Sequence, residues 1–304
     1  MKLFLVTMLL CMGLSAKTIT PNEVYAQVQL IKDEMHFLLE YFGIKHKHKE
    51  ILESTSIQIP LKPRNVWQKT YEIFVKINIL RNTHDLPMIE PINMEPVLHL
   101  NPDLVYENTQ RILTEIRIFK YRQNIQSKKF IVKTYRNKTP MDVYNALAHI
   151  SASFDELNGI GFTPSYVFGE TMRIYDDLTT ILQHLNIADN TIPSKRNDKS
   201  TPADTFRSAM KMLSKIRQIQ FSVGIDRVDF SGFSKSDPTP SDVFTMTQMI
   251  LAELQPIKAY IGLNHYITPA ATFYTEKTPA DVDQLMNWNL RKVSLIESFG
   301  GKLR

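Results

Sequence analysis

The chain has 304 residues, 43% hydrophobic and 22% charged, with a formal net charge of +5 at pH 7. It is long enough to fill one large core or two smaller ones. Cys11, the single cysteine, falls in an N-terminal leader, which excludes disulfides, thiol catalysis, iron–sulfur ligation and c-type haem attachment from the remainder.

The leader is Met1–Ala16: one lysine, an apolar run Leu3–Leu10 too short to span a bilayer, and small residues at Gly13, Ser15 and Ala16. This pattern predicts a secretory signal peptide, and so a periplasmic or secreted protein with no transmembrane helix after its removal. Leu10 before Cys11 is too bulky for a lipoprotein cleavage site.

From Thr20 onward one unit recurs eight times. Its start is most complete at Thr239-Pro240-Ser241-Asp242. Thr suits the helix N-cap, Pro the first helical position, and Asp the third, where it reaches back to the cap and meets the positive end of the dipole. The same logic stands at Thr20, Thr139, Thr201 and Thr278, and looser copies at Lys62-Pro63, Asn101-Pro102 and Thr163-Pro164. The stops recur as well. Twenty-two residues past the proline come Gly43, Asp85, Asn124, Asn186, Gly224, Gly262 and Gly301. All but Asp85 are types that readily turn left-handed after a helix. The copy from Pro140 ends earlier, at Gly159-Ile160.

Between start and stop, apolar residues fall 3, 7, 10, 14 and 17 positions past the proline, as in Val243, Ile250, Leu254 and Ile257. A period of 3.5 belongs to helices packed at shallow angles in bundles. The fold class is therefore all-α, with eight amphipathic helices of about 22 residues. The prolines are spaced 42, 39, 38, 24, 38, 38 and 39 residues apart, a repeat of about 38 with one short step. That step, Pro140 to Pro164, divides the chain into 1–16 as leader, 17–161 as a first four-helix unit and 162–304 as a second.

The other linkers are nearly constant: 126–138, 188–200 and 226–238 hold 13 residues each. Thirteen extended residues reach about 43 Å, enough to return beside a helix of about 33 Å. Parallel helices with extended returns would use that span. The expected arrangement is the commoner up-and-down bundle with large end loops.

Chemistry-bearing motifs are scarce. His46 and His48 lie among lysines, which oppose a cation, and His36, His149 and His184 fall inside helices, so no metal site is predicted. No phosphate loop, nucleophile elbow or zinc-protease motif occurs, which leaves no catalytic residues and no cofactor to name. Linker 126–138 carries Lys128, Lys129, Lys133, Arg136 and Lys138 without an acid, which suits an anionic envelope component; nucleic acid is not expected of an exported chain without a recognition motif. Aromatic linker residues Phe230, Phe233, Tyr266, Phe273 and Tyr274 could bind a partner or fill bundle grooves. In the last helix Asp283 replaces an aromatic and Asn289 an apolar seam residue, departures that can fix register, line a pocket or face water. The candidate binding residues are thus Tyr266, Phe273, Tyr274, Asp283 and Asn289. Together these features suggest a non-enzymatic module binding a partner protein or small ligand. The alternatives are an envelope scaffold, or an enzyme with a polar site between the two bundles.

Overall fold

The computed structural model describes residues 18–45, 57–91, 93–126 and 128–298, so the leader, His46, His48 and Gly301 lie outside the described residues. Those residues form eight helices and no strand: α1 (Pro21–Tyr41), α2 (Pro63–Thr83), α3 (Pro102–Arg122), α4 (Pro140–Asn158), α5 (Pro164–His184), α6 (Pro202–Ser222), α7 (Pro240–Tyr260) and α8 (Pro279–Ser298). Every helix begins at its repeat proline. In α7 the Thr239 side chain accepts from the Asp242 N–H, and the Asp242 carboxylate accepts from the Thr239 N–H at 2.9 Å.

The ends follow the same chemistry. Gly43, Asp85, Asn124, Asn186, Gly224 and Gly262 all have positive φ. Asp85 takes this conformation too, at φ 52, as Asn and Asp can when a short side chain bonds locally. Past each, an apolar residue closes a Schellman turn: Ile44 N–H donates to Leu39 at 2.8 Å, Leu86 to Arg81 at 2.8 Å and Leu263 to Lys258 at 2.8 Å.

The helices form two closed rings. In the first, α1 and α2 each pack on both α3 and α4; in the second, α5 and α6 each pack on both α7 and α8. The seam residues fill the ring centres, with Ile31, Ile112, Ile150, Ile174, Met212 and Ile250 all fully buried.

Within each ring all four helices point the same way, contrary to the up-and-down expectation. Pro21, Pro63, Pro102 and Pro140 surround one apolar hollow at the end of the first ring, and Pro164, Pro202, Pro240 and Pro279 surround another in the second. At the opposite end of the first ring, His84 after α2 meets Phe119 of α3 edge-on at 5.0 Å. The long linkers make this possible, because those before α4 and α8 run back along a helix. The α7–α8 linker descends α5: Pro269 O accepts from Arg173, and Lys277 N–H donates to Ser165. The α3–α4 linker does the same along α1, where Lys138 N–H donates to Asn22.

The two rings also match in particular side-chain contacts. Tyr135 meets Tyr25 edge-on at 4.9 Å and Lys138 lies 4.4 Å over that ring; Tyr274 meets Phe168 at 4.9 Å and Lys277 lies 4.6 Å over it. So the aromatic four positions past the proline receives the returning linker.

Residues 159–163 join the rings. Five residues reach only about 17 Å, too short for a return, so α5 starts where α4 ends and the second ring runs opposite to the first. Phe162 in this link stacks on Phe244 of α7 at 3.7 Å.

Candidate ligand groove between the two bundles

Where the rings meet, α2 lies antiparallel to α7. Arg64 near the start of α2 reaches Glu253 late in α7, and Lys69 farther along meets Thr245 near the start of α7. Both helices are covered on nearly all sides, so their polar faces are buried and must be paired. Arg64 grips Glu253 with two nitrogens at 3.0 and 2.8 Å; Asn65 and Gln220 each donate to the same carboxylate at 2.9 Å.

Midway along α2 is a polar chamber of about 490 Å³ including its mouth, shared by α2, α4 and α7. Glu72 accepts from Lys69 at 2.7 Å and from Ser151 at 2.5 Å, and Lys76 donates to Asp155 at 2.6 Å and to the Ser151 carbonyl at 3.0 Å. Burial holds Lys76 below its usual range despite Asp155 and Glu72, and holds Asp155 above its own despite Lys76. Glu72 is also buried, but Lys69 and Lys76 outweigh that and keep it low.

A larger opening is a groove of about 1170 Å³ including its mouth, between the second half of α2, the start of α5 and the linkers near Met88 and Phe273. Val75, Ile79, Met88, Tyr166 and Phe273 supply mainly apolar walls. Its polar end is Glu170, 1% exposed. One carboxylate oxygen, Oε2, accepts from Arg173 at 2.7 Å and Gln248 at 2.8 Å, and the Tyr71 hydroxyl also bonds the carboxylate. Arg173 is fixed in turn by Pro269 O and Asn93 and lies 4.2 Å over the Tyr71 ring. Burial, reinforced by Glu170, pushes the Tyr71 phenol well above its usual range.

The five residues singled out from sequence do not converge. Phe273 lines the groove mouth and meets Tyr166 at 5.7 Å. Tyr274 packs on Phe168, and Tyr266 sits 5.2 Å beneath Lys258, both along the α7–α8 return. Asp283 accepts from Ser200 at 2.8 Å, so a hydrogen bond replaces the lysine-over-aromatic contact made at the equivalent places on α1 and α5. Asn289 is fully buried inside the second ring and donates to the Thr171 carbonyl at 2.9 Å. Of the histidines, His36 pairs with Glu40 and His184 meets the Ile261 carbonyl.

Sequence reasoning missed Tyr71 and Glu170. Tyr71 lies eight residues past Pro63 and Glu170 six past Pro164, off the seam, on faces that read as solvated in single amphipathic helices. Only the docking of a second bundle makes them interior. Along the α3–α4 linker, Lys128, Lys129, Lys133 and Arg136 are exposed, and so are Ile131 and Val132 between them.

Among the described residues no group of three or more His, Cys, Asp or Glu side chains is placed to hold a metal, and no helix is long and apolar enough to cross a membrane. Comparison with protein-family models, curated proteins and solved structures finds no match to this chain.

Proposed function

We propose that this is an exported, non-enzymatic binding protein that holds a small ligand in the groove between its two bundles. The observation that carries the reading is the groove itself: a mostly apolar cleft between the two bundles, ending at the buried and bonded Glu170 carboxylate. Nile red, an uncharged fluorescent probe, tests it. Saturable one-to-one binding should occur and be lost in Ala270→Trp, which fills the mouth from an exposed position. Equal binding by that variant would place the ligand elsewhere and end the proposal. Export rests on Met1–Ala16; sequencing the N-terminus of the mature protein should find it beginning after Ala16, and retention of Met1 would remove that part.

The scaffold alternative loses both its motives. The constant linkers serve returns within the molecule, and Asn289 bonds inside its own ring. The enzyme alternative gains one, because the chamber of Lys76, Asp155 and Glu72 is a polar cavity between the halves. Its groups are already paired, which favours a lock over a reaction centre. A turnover abolished by Ser151→Ala in a folded protein would reverse that preference. The basic strip with Ile131 and Val132 suits an anionic envelope surface. Cosedimentation that fails to prefer anionic over zwitterionic vesicles would count against it.

A further inference from the structure

The interior openings leave little chemistry unused. The hollows at the proline ends offer no exposed polar surface, and in the chamber both lysines and Glu72 are bonded to protein partners. The outer surface of the first ring differs. Along the α3–α4 linker Lys128, Lys129, Lys133 and Arg136 are exposed, and Ile131 and Val132 between them are 83% and 60% exposed. Among the described residues none of these four cations pairs with a carboxylate, whereas Lys138 at the end of the linker lies 4.0 Å from Asp142.

The second ring supplies an internal comparison. Tyr135 and Lys138 occupy the places that Tyr274 and Lys277 take in the α7–α8 linker, and Asn137 and Glu276 before the lysines both turn left-handed, at φ 56 and 58. This register matches Ile131 and Val132 with Ala270 and Ala271, Lys133 with Thr272 and Arg136 with Thr275, and residues 267–276 hold no lysine or arginine. Ala270, Ala271 and Thr272 line the groove opposite α2 of the other ring. The linker beside the other ring is therefore small and uncharged there, and the linker that faces outward is basic and aliphatic.

A single exposed aliphatic residue is ordinary, but two adjacent ones inside a cluster of four unpaired cations need a surface that suits both. A bilayer with anionic headgroups does. Its surface potential draws the cations to the phosphates, the lysine stems lie along the interface with their heads in water, and the aliphatic pair enters the boundary between headgroups and chains. A soluble polyanion answers the charge alone, and a second copy of the strip would bring like charges together.

We infer that residues 128–136 are a contact for an anionic lipid surface, with Ile131 and Val132 entering the interface between phosphate-bound cations; this rests on the envelope-surface reading of the strip above. The test is cosedimentation at pH 7 and about 0.1 M salt with vesicles of phosphatidylglycerol and phosphatidylcholine, or of phosphatidylcholine alone. Parent and variants carry the same N-terminus, so differences among them report on the strip. The parent should bind the anionic vesicles at least tenfold more tightly than the zwitterionic ones. Lys129→Gln with Lys133→Gln, and separately Ile131→Ser with Val132→Ser, should each weaken that binding at least threefold; all four positions are exposed, and circular dichroism should show both variants folded. Unchanged affinity in the serine pair, with the anionic preference kept by the parent and reduced in the glutamine pair, overturns lipid insertion and leaves a purely electrostatic envelope contact. A parent without anionic preference removes the envelope-surface reading and this inference together. Anionic preference undiminished in the glutamine pair places the contact elsewhere on the chain and ends the inference. Tighter binding of soluble polyglutamate than of anionic vesicles, compared at equal charge, would assign the strip to an acidic protein instead.

Discussion

Capping residues and seam residues do different work, and their magnitudes separate them. Thr139, Thr201, Thr239 and Thr278 each donate a backbone N–H to an aspartate three residues on, at 2.8 to 2.9 Å. These groups lie at the surface, so replacing Thr239 and Asp242 together by Ala should cost about 1–2 kcal/mol in denaturant unfolding. Leu254 is 1% exposed within the second ring, and Leu254→Ala should cost about 2–5 kcal/mol. A variant that unfolds with the parent would remove Leu254 from the core. The seam therefore supplies stability, and the caps fix where each helix begins. Asp281 adds a pH signature. Partial burial pushes its carboxyl up, but the Arg196 guanidinium and the Thr278 cap bonds outweigh this and hold it at about 2. A carboxyl lowered in the folded state stabilises above its unfolded pKa, and this contribution is lost as pH falls from about 4 through 2. Asp281→Asn should therefore be less stable than the parent at pH 6, and the gap should close by pH 2. A gap independent of pH would show that the charge is irrelevant.

At the scale of elements, the returning linkers are as much part of the fold as the helices. Asn78 clasps one of them, donating to Ile89 O at 2.7 Å and accepting from Ile89 N–H at 2.8 Å; Asn145 holds Ile57 the same way at 3.0 and 2.8 Å. Removing either asparagine frees two backbone groups of a half-buried or buried strand-like segment, and Asn78→Ala should cost about 1–3 kcal/mol. Close approach matters on α5, where a Cβ on Gly169 would meet Thr272 O at 2.7 Å. Gly169→Ala must push the linker outward, and a loss of about 1–3 kcal/mol is expected in thermal unfolding. An unchanged melting temperature would mean that the linker is free to move. The helices were legible in sequence because their signals are local: a proline, an acid two residues later, and a left-handed residue near position 22. Direction was not legible. A 13-residue linker can cross a bundle end or run its length, and what decides is contact with a distant helix, such as Tyr135 on Tyr25 or Lys277 on Ser165. The groove was hidden for a similar reason, since Tyr71 and Glu170 become interior only when two amphipathic faces meet.

Across the whole molecule, parallel packing aligns four helix dipoles in each ring, which is unfavourable by itself. Two features offset it: acids at the positive ends, and the antiparallel pairing of α2 with α7 where the rings meet. That contact is made by a buried ion pair and its polar neighbours rather than by the apolar seam. Burying Arg64 with Glu253 strips water from two charged groups, and their attraction does little more than recover the loss. Such a pair sets the register of docking while adding little to its strength. Each ring, by contrast, buries its seam against its own four helices, and a severed half returns its interface charges to water. Residues 18–161 expressed alone should therefore fold as a helical bundle with one cooperative transition, and should bind residues 162–298 only weakly. In the intact chain Glu253→Gln leaves the Arg64 guanidinium short of its partner in a dry contact. Its penalty, about 3–5 kcal/mol for an unpaired buried charge, is capped by the free energy of docking, because the halves can part at Gly161. Circular dichroism and analytical ultracentrifugation of the two halves decide the matter: an isolated first half that is unfolded or aggregated would show that the interface carries stability as well as register.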